Sequence, residues 1–178
     1  MRQGLVLLRG INLGAHNRLP MTRWSELLRA LGATEVTTVL QSGSAVISYE
    51  GELAAFASAH RDQLEETIGK RIVVDVWEGA DVLRLREEVP QELWGLDNSK
   101  VLVHFLTRAL SIQEQESIAA LIEHDVWFGR GALFQSCPTG VHLAPDLSVI
   151  LQRRVPGISS TARNLRTFER IVALLTRA

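Results

Sequence analysis

Leu5–Met21, LVLLRGINLGAHNRLPM, is the stretch from which the fold reads outward. Leu5–Leu8 is a short apolar run, the pattern of a strand buried on both faces. After it come Arg9, then Gly10 and Gly14, which permit backbone angles closed to other residues. Asn12, His16 and Asn17 suit turns, because their side chains bond nearby backbone. Pro20 fixes the chain before a helix that Thr22 can cap, with Trp24, Leu27, Leu28 and Leu31 on one face. The loop thus gathers Arg9, Arg18, backbone donors and a helix N-terminus, ingredients that suit an anion. The competing reading is a purely structural loop, since the strong phosphate-binding patterns are absent.

Downstream, Glu35–Leu40 is rich in β-branched residues and reads as a strand. Gln41, Ser42 and Gly43 turn the chain into a return strand, Ala45–Tyr49, making a hairpin. Leu53, Phe56, Ala57, His60, Leu64 and Ile68 follow helical spacing up to Gly69. Ile72–Trp77 is a further strand, and Asp81–Val89 a short helix before Pro90. Strand, helix, strand, strand, helix, strand is the split βαβ order of a ferredoxin-like unit.

The second half replays this order of elements. Val101–Leu106 is a strand. Ser111 and Glu114 match a capping box ahead of Ile118, Leu121 and Ile122. Asp125–Phe128 and Ala132–Ser136 read as a hairpin. Asp146 can cap a helix that Pro156 and Gly157 stop. Ile158–Thr161 reads as an edge strand, and Leu165, Phe168, Val172 and Leu175 form one stripe of a terminal helix. The expected fold is therefore α+β: two ferredoxin-like halves, each with a mainly antiparallel sheet, plus a C-terminal helix. The expected halves are residues 1–89 and 100–178, joined by a polar linker at 90–99.

With 178 residues the chain can bury a core, and 46% hydrophobic with 22% charged residues is an ordinary globular composition. A net charge of −1 argues against a whole-chain electrostatic nucleic-acid binder. Residues 153–178 are the exception, with six arginines against one glutamate for a local +5. One cysteine, Cys137, rules out an internal disulfide and fits a reducing, cytoplasmic setting. The first residues run straight into strand-like sequence, without the pattern of a secretory leader. No apolar run approaches the roughly 20 residues of a membrane helix.

Three motifs carry a resemblance: RGINLG at Arg9–Gly14, LQSGS at Leu40–Ser44 and TARN at Thr161–Asn164. With them the chain resembles the bacterial domain-of-unknown-function 1697 family (DUF1697). Its members share an RGIN-glycine loop, a QSGN turn and a TTRNW segment opening the last helix. The resemblance implies an α+β fold with two ferredoxin-like halves and supplies no activity. The chain departs from the family pattern at Ser44, at Leu165 and over Leu143–Leu151, which lacks a Ser-Lys-Leu element.

The chemistry candidates are few. The five histidines show no i, i+4 pair and no cysteine cluster joins them, so no metal or other cofactor is expected. His104, inside VLVHFL, reads as a core histidine, and Cys137 as a small buried hydrophobe. Ser42 does not sit in the Gly-x-Ser-x-Gly elbow of hydrolases. Glu65–Glu66 and Glu87–Glu88 read as solvated helix faces. Base-stacking by a ferredoxin-like sheet needs exposed strand aromatics, which LVLLRG and SAVIS lack.

The favoured reading is an anionic small molecule or phosphate-containing ligand near the RGIN loop. Arg9, Gly10, Asn12, Gly14, His16, Arg163, Asn164 and Arg166 are its candidate residues. Gln41, Ser42 and Ser44 form a second surface motif, expected about 17–20 Å away at the other end of a strand. The RGIN loop is therefore expected to meet the TARN segment in a cleft between the halves. A protein-interaction or oligomerisation module is the alternative. Nucleic-acid binding through the C-terminal arginines and catalysis through His16 rank below both. The sequence does not decide whether a reaction is catalysed or what the oligomeric state is.

Overall fold

The computed structural model describes residues 1–12, 18–122 and 126–177. The chain runs β1 (Arg2–Arg9), α1 (Met21–Ala30), β2 (Glu35–Val39), β3 (Ser44–Tyr49), α2 (Leu53–Ile68), β4 (Val73–Glu78) and α3 (Gly79–Glu87). It continues β5 (Val101–Leu106), α4 (Ile112–Ala119), β6 (Val126–Phe128), β7 (Ala132–Ser136), α5 (Leu147–Arg154), β8 (Ser160–Asn164) and α6 (Leu165–Leu175). Two units emerge: Met1–Leu83 with Arg170–Ala178, and Arg84–Glu169. The division thus falls inside α3, and residues 90–99 belong to the second unit. That stretch is anchored: Leu93 is buried and the Arg86 guanidinium lies 5.1 Å above the Trp94 ring.

In the first unit the sheet order is β2-β3-β1-β4, with every neighbouring pair antiparallel. This is the split βαβ order expected from the sequence. Alternation sorts the side chains of β1 onto two faces. Val6 and Leu8 join Ile47, Trp24, Leu28 and Leu64 in one apolar cluster with α1 and α2. Leu5, Leu7 and Val46 take the other face and are buried as well. Burial on both faces is why LVLL reads as a continuous apolar run.

One polar contact ties the two helices of this cluster together. Trp24 Nε1 donates to His60 Nε2 at 2.8 Å, with both side chains fully buried. The imidazole proton is therefore on Nδ1, which faces Gln63 Oε1 at 3.4 Å. Burial holds the His60 pKa down at about 4, against an ordinary 6.5, although the Gln63 contact raises it. Gly32 and Gly69 follow α1 and α2, as the sequence indicates. Thr22 does not cap α1: the N-cap is Pro20, which has no side-chain acceptor to offer.

The second unit repeats the plan, with order β6-β7-β5-β8 and antiparallel neighbours throughout. Ile118, Leu133, Leu147, Leu151 and Ile158 form its apolar cluster. The capping box forms, with Glu114 N donating to Ser111 Oγ and Ser111 N to Glu114 Oε2. Glu114 also binds Arg108 through both oxygens, which lowers its pKa to about 2. Asp146 caps α5 by accepting from the amides of Ser148 and Val149. His104 is buried with Nε2 2.9 Å from Gln135 Oε1, and burial lowers its pKa. Cys137 is buried, which pushes its thiol pKa up. His124 and Asp125 lie outside the described residues.

The last strand differs from expectation. Thr161–Asn164 does not open the terminal helix; it belongs to β8, paired with β5 from Leu102↔Asn164 to Leu106↔Ser160. The strand starts two residues later than the sequence pattern indicates. Ile158 is packed in the apolar cluster instead of the ladder.

Candidate functional site

The family motifs of the first unit meet at one end of the sheet. β3 runs antiparallel to both β1 and β2, so β1 and β2 point the same way. The end of β1 and the β2–β3 turn must then share an edge. This corrects the expected 17–20 Å separation, which counted the turn at the wrong end of the strands.

The contacts are direct. Leu8 N donates to Gly43 O at 2.7 Å. Asn12 adopts φ 53° and uses its whole amide on the backbone. Its Nδ2 donates to Gln41 O at 2.9 Å and to Leu19 O at 3.0 Å, while Oδ1 accepts from Leu19 N at 2.8 Å. One asparagine thus closes the RGIN loop onto its own exit and onto the QSG turn. Asn tolerates this left-handed backbone better than most residues.

Gly43 completes the lock. It has φ +74°, and a Cβ there would stand 2.8 Å from Leu8 Cβ and from Ile11 Cδ1. Gly10 has φ +78° but open space around it, so only its backbone angle calls for glycine. The Gln41 and Ser42 side of the turn is exposed, whereas Ser44 is buried and paired with both Leu7 and Val39. Ser44 is therefore a core residue and not part of a surface motif.

The remaining candidates are divided between the two units. Arg9 is half-buried and engaged within the protein. Gly14 and His16 lie outside the described residues. In the second unit Arg163 is buried and donates to Ala162 O at 2.7 Å. Asn164 is a cap: its Oδ1 accepts from Thr167 N at 2.9 Å and Thr167 Oγ1 at 2.7 Å. Arg166 lies 3.4 Å from Asp97, whose own pKa is lowered by Ser99. Asn12 and Asn164 thus spend their side-chain amides on local structural hydrogen bonds.

What the loop leaves open is its exit. Arg18 is exposed and makes no hydrogen bond or ion pair among the described residues. Next to it α1 begins with no side-chain cap and no acidic residue in its first turn. The amides of Met21, Thr22 and Arg23 have no acceptor among the described residues, while Trp24 N already bonds Pro20 O at 3.0 Å. Such a start carries about half a positive charge from the helix dipole. The sequence signal was available, as the absence of acid from Met21–Trp24.

Two split βαβ units, the first with its RGIN loop clamped to a QSG turn, define the class. The chain belongs to the DUF1697 family, described as a protein family of unknown function, which it matches over residues 1–134. Among solved structures it is similar to the conserved bacterial protein SP0830 from Streptococcus pneumoniae. The two are 19% identical, the match covers 99% of each chain, and the TM-score is 0.76. At that identity the likeness concerns the fold. No curated protein matches the chain.

Proposed function

We propose that the chain binds an anionic, phosphate-containing small molecule at the exit of the RGIN loop. The supporting observation is the start of α1: three amides without acceptors among the described residues, no acid in the first turn, and the exposed Arg18 beside them. The Asn12 clamp pins Leu19 and thereby fixes the approach to that helix. A pre-set backbone cradle costs no ordering on binding, which favours small anions. Arg18 supplies the outward charge. The setting expected is cytoplasmic; no helix among the described residues is long and apolar enough to cross a membrane.

Thermal melting in inorganic pyrophosphate tests this. Saturation at a hundred times Kd is worth about 2.7 kcal/mol by linkage, a rise of several degrees in Tm. Arg18→Ala is expected to lower that rise clearly while leaving the ligand-free Tm unchanged. Equal rises in wild type and Arg18→Ala, or none in either, would count against the site.

An interaction module is the second reading. It draws on Ile112 and Leu143 in the second unit, 73% and 66% exposed respectively.

A further inference from the structure

A cleft in the first unit is lined by residues other than those at the start of α1. It has a volume of about 310 Å³ and is lined by Thr38, Val39 and Leu40 with Arg170, Ala173, Leu174 and Arg177. Its chemistry is divided. Val39, Leu40, Ala173 and Leu174 give an aliphatic wall, while Arg170, Arg177 and Thr38 give polar groups and no lining residue is acidic.

Arg170 lies within α6 and Arg177 two residues beyond its end. Both are exposed, and neither guanidinium makes a hydrogen bond or ion pair among the described residues. The C-terminal end of α6 contributes about half a negative charge, which two guanidiniums outweigh.

Leu40 adds an independent observation. It is a non-glycine residue at φ 57° and its apolar side chain is 51% exposed. Left-handed backbone costs such a residue about 1–2 kcal/mol, and solvent offers its side chain no return. Asparagine or glycine would relieve the first cost. A leucine held there has a use if its side chain covers something apolar.

We infer that this cleft is a binding site for an organic diphosphate carrying a small apolar body. Arg170 and Arg177 take the two phosphates in charge-assisted hydrogen bonds, with Thr38 as a further donor. Leu40 and Leu174 take the apolar body. The volume is at the lower limit of small-molecule sites, so the body is about the size of a short branched chain. This site is separate from the one at the start of α1 and stands or falls without it.

The test is calorimetric titration of the full chain in the Arg18→Ala background, which silences the other site. The probes are inorganic pyrophosphate and isopentenyl diphosphate. Five carbons against the aliphatic wall are expected to make isopentenyl diphosphate bind at least about tenfold more tightly. Arg170→Ala/Arg177→Ala is expected to weaken both probes by more than about tenfold. Both guanidiniums are exposed and without partners among the described residues, so circular dichroism should show an unchanged fold. Leu40→Asn, which suits the backbone angle, is expected to erase the advantage of isopentenyl diphosphate and leave pyrophosphate binding as it was. Equal affinity for the two probes, no effect of the double arginine variant, or no binding of either probe would overturn the inference. A wild-type chain that binds both probes beside an Arg18→Ala chain that binds neither would support the site at α1 and refute this one.

Discussion

Gly43→Ala is expected to destabilise the protein by about 2–5 kcal/mol, the sum of left-handed strain and overpacking. The new methyl group would meet Leu8 Cβ and Ile11 Cδ1 at 2.8 Å each. Leu8 Cβ is fixed by its strand and cannot swing away. The residue also accepts the Leu8 amide, so relief by moving the turn would break a ladder bond. Gly10→Ala is the control: it shares the positive φ but adds a methyl group into open space. Its expected cost is about 1–2 kcal/mol from the backbone alone. Urea denaturation of both variants checks the pair. Equal losses would mean that the RGIN loop and QSG turn are not packed as described.

The second large effect is a dependence on pH set by His60. Its folded pKa is about 4 and its unfolded pKa about 6.5. Between those values the unfolded chain binds the proton and the folded one does not. Stability from this group is therefore complete above pH 6.5 and falls as pH drops towards 4. The full loss is about 3 kcal/mol for a shift of this size. Burial of His104 acts in the same direction. The lowered pKa values of Glu114 and Asp146 withdraw their stability at still lower pH. Denaturation at pH 7.5 and 4.5 measures the slope. His60→Gln keeps an acceptor for Trp24 Nε1 but does not titrate, so its slope should be clearly shallower. An unchanged slope would place the pH dependence elsewhere.

Much of this architecture was legible in the residues. LVLL announces a strand buried on both faces, and strand and helix periods alternate in the split βαβ order in both halves. The Ser111–Glu114 box and the Asp146 cap follow from local chemistry alone. Their geometry is contained within four residues.

What was not legible depended on direction and on long-range pairing. The placement of the QSG turn turns on whether β1 and β2 run the same way, which is a property of the sheet and not of either strand. TARN looked like the opening of a helix because Asn164 does cap one, yet four of its neighbours pair with β5 first. Asn12 and Asn164 looked like ligand groups, since asparagine side chains serve recognition and backbone capping equally well. Only their partners distinguish the two uses. The cleft beside Leu40 was hidden because it joins residues 38–40 to residues 170–177. The arginine excess was visible, but its neighbours were not.

The central claim is that the clamped RGIN loop delivers an open helix start to an anion. Amide-resolved NMR during a pyrophosphate titration tests it most directly. The account predicts saturable shifts concentrated at the amides of Arg18, Met21, Thr22 and Arg23, abolished in Arg18→Ala. Saturable binding with those four amides unmoved would contradict it.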